Sequence, residues 1–136
     1  MKMLQKLAPK LLMAAVVLTP LAIPAAAHHS YAMFDMDRTV ALDATVVQFR
    51  WQNPHAFIRV TVPSGATVEE WSIEMTSPNN LVQEGWTRTS IRQGDRVRLY
   101  VHPLRSGARG AAYSGIRKAD GTTLGDVPAA RAGGRN

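Results

Sequence analysis

Apolar and polar positions alternate along most of the chain from residue 40 onward, and the alternation marks strands. Val40 to Trp51 (VALDATVVQFRW) is rich in β-branched residues: Val40, Leu42, Ala44 and Val46 share one face, and the apolar phase then shifts to Val47, Phe49 and Trp51. A phase shift inside one strand predicts a β-bulge or a sharp coil. Gln52-Asn53-Pro54 breaks the run, because proline has no N–H to give a ladder. Ala56 to Val62 follows, with Ala56, Ile58, Val60 and Val62 inward and Phe57, Arg59 and Thr61 outward. Pro63-Ser64-Gly65 predicts a turn, and Val68 to Met75 alternates again with Trp71, Ile73 and Met75 inward, so the two strands read as a hairpin. Ser77 suits a helix N-cap, Pro78 the first helical position and Gly85 the end, which predicts a short helix of about two turns. Gly94-Asp95 turns the chain into Arg96 to Val101, with Val97, Leu99 and Val101 inward and Arg96, Arg98 and Tyr100 outward. Ala111 to Lys118 forms the last strand, weakened by Gly115.

A mainly β chain with one short helix between the third and fourth of five strands has the outline of an OB-like Greek-key barrel. A small β-sandwich, or an open sheet with the helix on one face, is the alternative. The barrel occupies 40–118. Residues 28–39 have no clear period and form an N-terminal arm. Residues 119–136 end in an Ala-, Gly- and Arg-rich stretch without core positions and are expected to be a disordered tail.

The first 27 residues change the picture of charge and location. Lys2, Lys6 and Lys10 form a positive start, Leu11 to Ile23 an apolar run, and Ala25-Ala26-Ala27 a small-residue cleavage site. This is the pattern of a secretory signal peptide, and the run, interrupted by Pro20, is too short to span a bilayer comfortably. The expectation is an exported bacterial protein, periplasmic or secreted, with no stable membrane anchor after cleavage. The formal charge of +6 falls to +3 once the three lysines leave, because no acid leaves with them. That balance does not argue for nucleic acid. The chain has no Cys, so neither a disulfide nor a lipid-modified Cys is available and stability must come from packing.

The candidate chemistry lies in the four histidines, His28, His29, His55 and His102, and in the aromatic residues. Cleavage after Ala27 gives His28 a free α-amine beside its own imidazole. Those two nitrogens chelate one copper ion, and a second histidine completes a three-nitrogen site of the kind that suits Cu(II). His55, after the Pro54 turn, is the preferred second histidine, with His29 beside the first. Cleavage one or two residues earlier puts a histidine third, which also binds copper or nickel. Asp35 is a candidate outer partner. The plain alternative is that His28 and His29 are solvated arm residues and that His55 satisfies a turn; His102 reads as a surface residue. Trp71 reads as core and Trp86 as a plug beneath the helix. Trp51, Asn53, His55 and Phe57 flank the first turn at the expected barrel mouth and form a candidate ligand-binding face. Alternatively the arm folds back over this face, with Tyr31 and Phe34 as its anchors. Asp35 with Asp37, and Glu70 with Glu74, are ordinary solvated-face pairs, and no nucleophile elbow or phosphate loop is present.

His28-His29-Ser30 with Phe34-Asp35, then Trp51-Gln52-Asn53-Pro54-His55, Trp71, Ser77-Pro78-Asn79, Gly85-Trp86 and Gly94-Asp95 follow one another in an order that resembles an exported bacterial family known only as a domain of unknown function (family 6152). The resemblance spans His28 to Lys118 and leaves the tail outside. It implies export and a compact β domain, and it carries no established activity.

Three functions compete. The first is a small exported binding or accessory protein that holds copper through His28, His29 and His55. The second is a metal-free module that takes a small molecule or a periplasmic protein on Trp51, Asn53, His55 and Phe57. The third, a small copper oxidative enzyme, is disfavoured because the 109 residues left by cleavage leave little room for a substrate cleft.

Overall fold

The structure, a computed structural model, describes residues 31–129. The expected signal peptide of 1–27, the candidate ligands His28 and His29, and the end of the tail from residue 130 lie outside the described residues. Within them, six strands and one helix follow in the order β1 (Val40–Arg50), β2 (Phe57–Ser64), β3 (Thr67–Glu74), α1 (Pro78–Gln83), β4 (Arg96–Pro103), β5 (Gly110–Lys118) and β6 (Thr123–Gly125).

The antiparallel sheet runs β3-β2-β1-β4-β5-β6, and β3 also pairs with β5 in parallel. That extra pairing, Ser72 with Gly110, Ile73 with Ala111 and Glu74 with Ala112, closes the first five strands into a barrel. The barrel and the helix between β3 and β4 match the OB-like expectation. The predicted irregularity in β1 is a bulge: its register against β2 slips between Val46 and Gln48, so Val47 is the extra residue. The slip lets Val46 point into the core and also lets Phe49, and Trp51 just past the end of the strand, pack against it. The hairpin turn is tighter than expected. β2 continues through Pro63 to Ser64, which pairs with Thr67.

Ser77 caps α1, its side chain accepting from the Asn80 N–H at 3.4 Å, and Pro78 occupies the first turn. Gly85 ends the helix with φ at 89°, a conformation that side chains with a Cβ rarely adopt. Ile58, Val60, Ile73, Leu81, Leu99, Val101 and Ile116 fill the barrel. Trp86, 1% exposed, plugs it near α1. Its ring meets Phe49 at 5.6 Å and Tyr113 at 5.4 Å. Its Nε1 donates to the Tyr113 hydroxyl at 3.3 Å, which in turn donates to the Leu124 carbonyl at 2.9 Å. Burial pushes the Tyr113 phenol far above its ordinary range.

Two expectations need correction. The domain does not stop at Lys118: β6 pairs with Gly115 to Arg117 of β5, and the Asp126 N–H donates to the Ser114 carbonyl at 2.9 Å. Tyr100, placed outward by alternation, is buried. Its cross-strand partners are Ala41 on β1 and Gly115 on β5, which are small and leave room beside it. The backbone after β6 takes the place of the side chain that Gly115 lacks. A Cβ on Gly115 would stand 2.1 Å from the Asp126 carbonyl oxygen.

Gly115→Val is therefore expected to push residues 125–127 off β5 and to cost about 1–3 kcal/mol. Urea denaturation of the variant beside the parent measures the loss, and unchanged stability would show that β6 contributes nothing to the fold.

Candidate functional site

The loop between β1 and β2 and the end of β3 meet at one end of the barrel. Phe57, the first residue of β2, pairs with Glu74, the last residue of β3. The ladder continues one step further through the Ala56 N–H to Thr76 carbonyl and Met75 N–H to Ala56 carbonyl bonds. His55 lies two residues before Phe57 and on the same outward face, so Glu74 is its diagonal cross-strand neighbour. His55 Nδ1 and Glu74 Oε1 are 2.5 Å apart, and both side chains are partly buried. A carboxylate on Nδ1 selects the tautomer with the proton there, which leaves the lone pair on Nε2. Alternation alone makes Glu74 a solvated companion of Glu70. Counting the hairpin register back from its turn identifies the difference, because that count puts Glu74 opposite Phe57.

The other residues of the expected mouth divide between two faces. Phe57 stays on the outward face with His55, and the Arg50 guanidinium lies 6.0 Å from its ring centre. Trp51 turns the other way and packs against the core, edge-on to Phe49 at 5.6 Å. Phe49, Trp51, Trp86 and Tyr113 thus fill the end of the barrel that was expected to be open. Asn53 is exposed, before a cis peptide bond to Pro54. Trp71, expected in the core, is only partly buried, and the Arg109 guanidinium lies over its ring at 5.9 Å. Glu70 pairs with Arg59. Arg109, hydrogen-bonded to Glu69, holds that carboxyl below its ordinary range.

The arm is seated on the barrel. Phe34 is 3% exposed and forms an isolated bridge with Leu104. The Asp35 N–H donates to the Pro103 carbonyl at 2.8 Å, and the Arg105 N–H to the Met33 carbonyl at 2.9 Å. The Asp35 carboxylate faces Arg105 at 3.6 Å. His102, read as a plain surface residue, is half-buried, and its Nδ1 donates to the Arg38 carbonyl at 3.0 Å. It clamps the arm. Tyr31, where the described chain begins, packs near Phe34 with ring centres 6.3 Å apart. Burial, and then the charges of Glu74 and Glu84, push its phenol above the ordinary tyrosine range. Among the described residues no group of three or more His, Asp or Glu side chains is close enough to hold a metal ion, and no helix is long and apolar enough to cross a membrane.

The model of one protein family, described as a family of unknown function (DUF6152), matches residues 15–113. The match begins earlier than the expected His28 and ends at Tyr113 instead of Lys118. No curated protein and no solved structure matches the chain.

Phe34→Ala should release the arm, since removing a buried phenylalanine side chain costs about 3–5 kcal/mol where the site cannot collapse. Amide exchange at Asp35 and Arg105 would then speed up while the strand amides of β2 and β3 stay protected. Equal protection in parent and variant would mean that the arm is held by something other than Phe34.

Proposed function

Given that the chain belongs to a family of unknown function (DUF6152), we propose that it is a small exported binding protein of the bacterial periplasm that holds one copper ion between its N-terminal arm and the barrel end at His55. The observation that carries this reading is the His55–Glu74 pair. A histidine whose Nδ1 is held by a carboxylate presents Nε2 as an oriented ligand, which is how metal-binding histidines are commonly supported. The second support is the path of the arm. Its contacts with Pro103, Leu104 and Arg105 seat it beside the seam that ends at Glu74, and the two peptide steps from His29 to Tyr31 reach at most about 7 Å. His28, with its α-amine after cleavage, and His29 would complete a nitrogen set suited to Cu(II). In this arrangement His28, His29 and His55 bind the ion, and Glu74 orients His55.

The test is Cu(II) titration of the exported protein, its first residue established by mass spectrometry. The comparison set is His55→Ala, Glu74→Gln and a chain beginning at Tyr31. One tight equivalent is expected. It should weaken by about 10–100-fold in Glu74→Gln, the usual cost of losing the partner behind a metal-binding histidine, and by more in the other two. Binding that ignores His55 and Glu74 would reduce the metal to chelation by the chain terminus. The outward face of Phe57, Arg50 and His55 would then be the place to seek a metal-free ligand.

A further inference from the structure

On the outer surface, away from the His55 end, β1, β4 and β5 form one wall of a cleft of about 470 Å³. Its charged lining is Asp43, Arg96, Arg98, Arg117 and Lys118, and Pro63 supplies apolar surface. The register explains why the cations gather. Asp43 pairs with Arg98 across β1 and β4, and Arg98 pairs with Arg117 across β4 and β5. Arg96, two residues before Arg98 on the same face, stands opposite Thr45.

The charges here do not balance locally. Arg98 Nη1 donates to both Asp43 oxygens at 3.0 Å, and Lys118 Nζ donates to the Ser90 carbonyl at 3.4 Å. Arg96 and Arg117 have no carboxylate partner among the described residues. Asp95 and Asp120 border a smaller cleft alongside. Their carboxylates are turned to their own loops, accepting from the Arg92 N–H and from Thr122. Like charges placed directly opposite each other on adjacent strands destabilise a sheet. Elsewhere the same surface matches arginine to acid, as in Arg59 with Glu70 and Arg109 with Glu69. Asp43 compensates Arg98 alone, so Arg117, opposite Arg98, and Arg96 beside it are the cations that an incoming oxyanion would stabilise.

We propose that this cleft binds a small soluble organic anion bearing a phosphate or carboxylate group. Arg96 and Arg117 grip the anion oxygens through their planar N–H forks, and Pro63 meets the apolar body. The cleft has the size of a small-molecule site. The proposal does not depend on copper.

The test titrates phenyl phosphate and benzoate into the full exported protein and follows the arginine Nε–H signals by NMR. Saturable shifts of Arg96 and Arg117 are expected with at least one probe. The double variant Arg96→Gln/Arg117→Gln should bind at least about tenfold more weakly, because two charge-assisted contacts are lost. Its melting temperature without anion should be unchanged or higher, since the repulsion on Arg98 is relieved. Three results would overturn the idea: no saturable shift with either probe, equal affinity in the double variant, or a response confined to phosphatidylglycerol vesicles.

Discussion

Everything else in this domain hangs on the parallel seam between β3 and β5. Those three residue pairs turn an open sheet into a barrel and remove the free edges that β3 and β5 would otherwise expose. The seam needs two backbones to come close over the core. The β5 side of it is Gly110-Ala111-Ala112, all buried, and the β3 side contributes Ile73, also fully buried. A Cβ on Gly110 would stand 2.7 Å from Leu104 Cδ1, so a side chain there would press on the segment that leads into β5. With the seam closed, Trp86 has a bounded space to fill, and the chain of hydrogen bonds from Trp86 through Tyr113 to Leu124 ties the plug to β6.

The seam also places the candidate chemistry. Glu74 is both the last residue of the seam on β3 and the cross-strand partner of Phe57. One position therefore serves the barrel closure and the histidine of the neighbouring loop. The arm docks on the segment that joins β4 to β5, directly before the seam begins. Arm, loop and carboxylate converge at one end because closure brings the end of β4, the start of β5 and the end of β3 together. The cationic cleft arises from the same register on another face, where β1, β4 and β5 align Asp43, Arg98 and Arg117 in one row.

Much of this is legible in the chain itself. Alternation locates the strands, the change of apolar phase near Val47 locates the bulge, and Ser77-Pro78 with Gly85 brackets the helix. These signals are local: a strand's two faces, a proline's missing donor and a cap's side chain act within a few residues. His55 also stands out, on the strength of its place after the Pro54 turn. Its partner does not, because Glu74 sits nineteen positions away and looks like any outward carboxylate on a hairpin. The same limit hides the roles of His102, Tyr100 and Gly115, each of which depends on a distant segment lying over it.

The sequence by itself determined the order of the first five strands and the helix, most of their inward faces, and the histidines that are candidate metal ligands. Those follow from periodicity and from the chemistry of single side chains. Only the tertiary structure decided which candidates meet. It put Trp51 into an aromatic plug instead of an open mouth, joined His55 to Glu74, and set Arg98 against Arg117. Alternation says which side of its own strand a residue takes, but which residue stands opposite depends on register and barrel closure, and no local pattern encodes those.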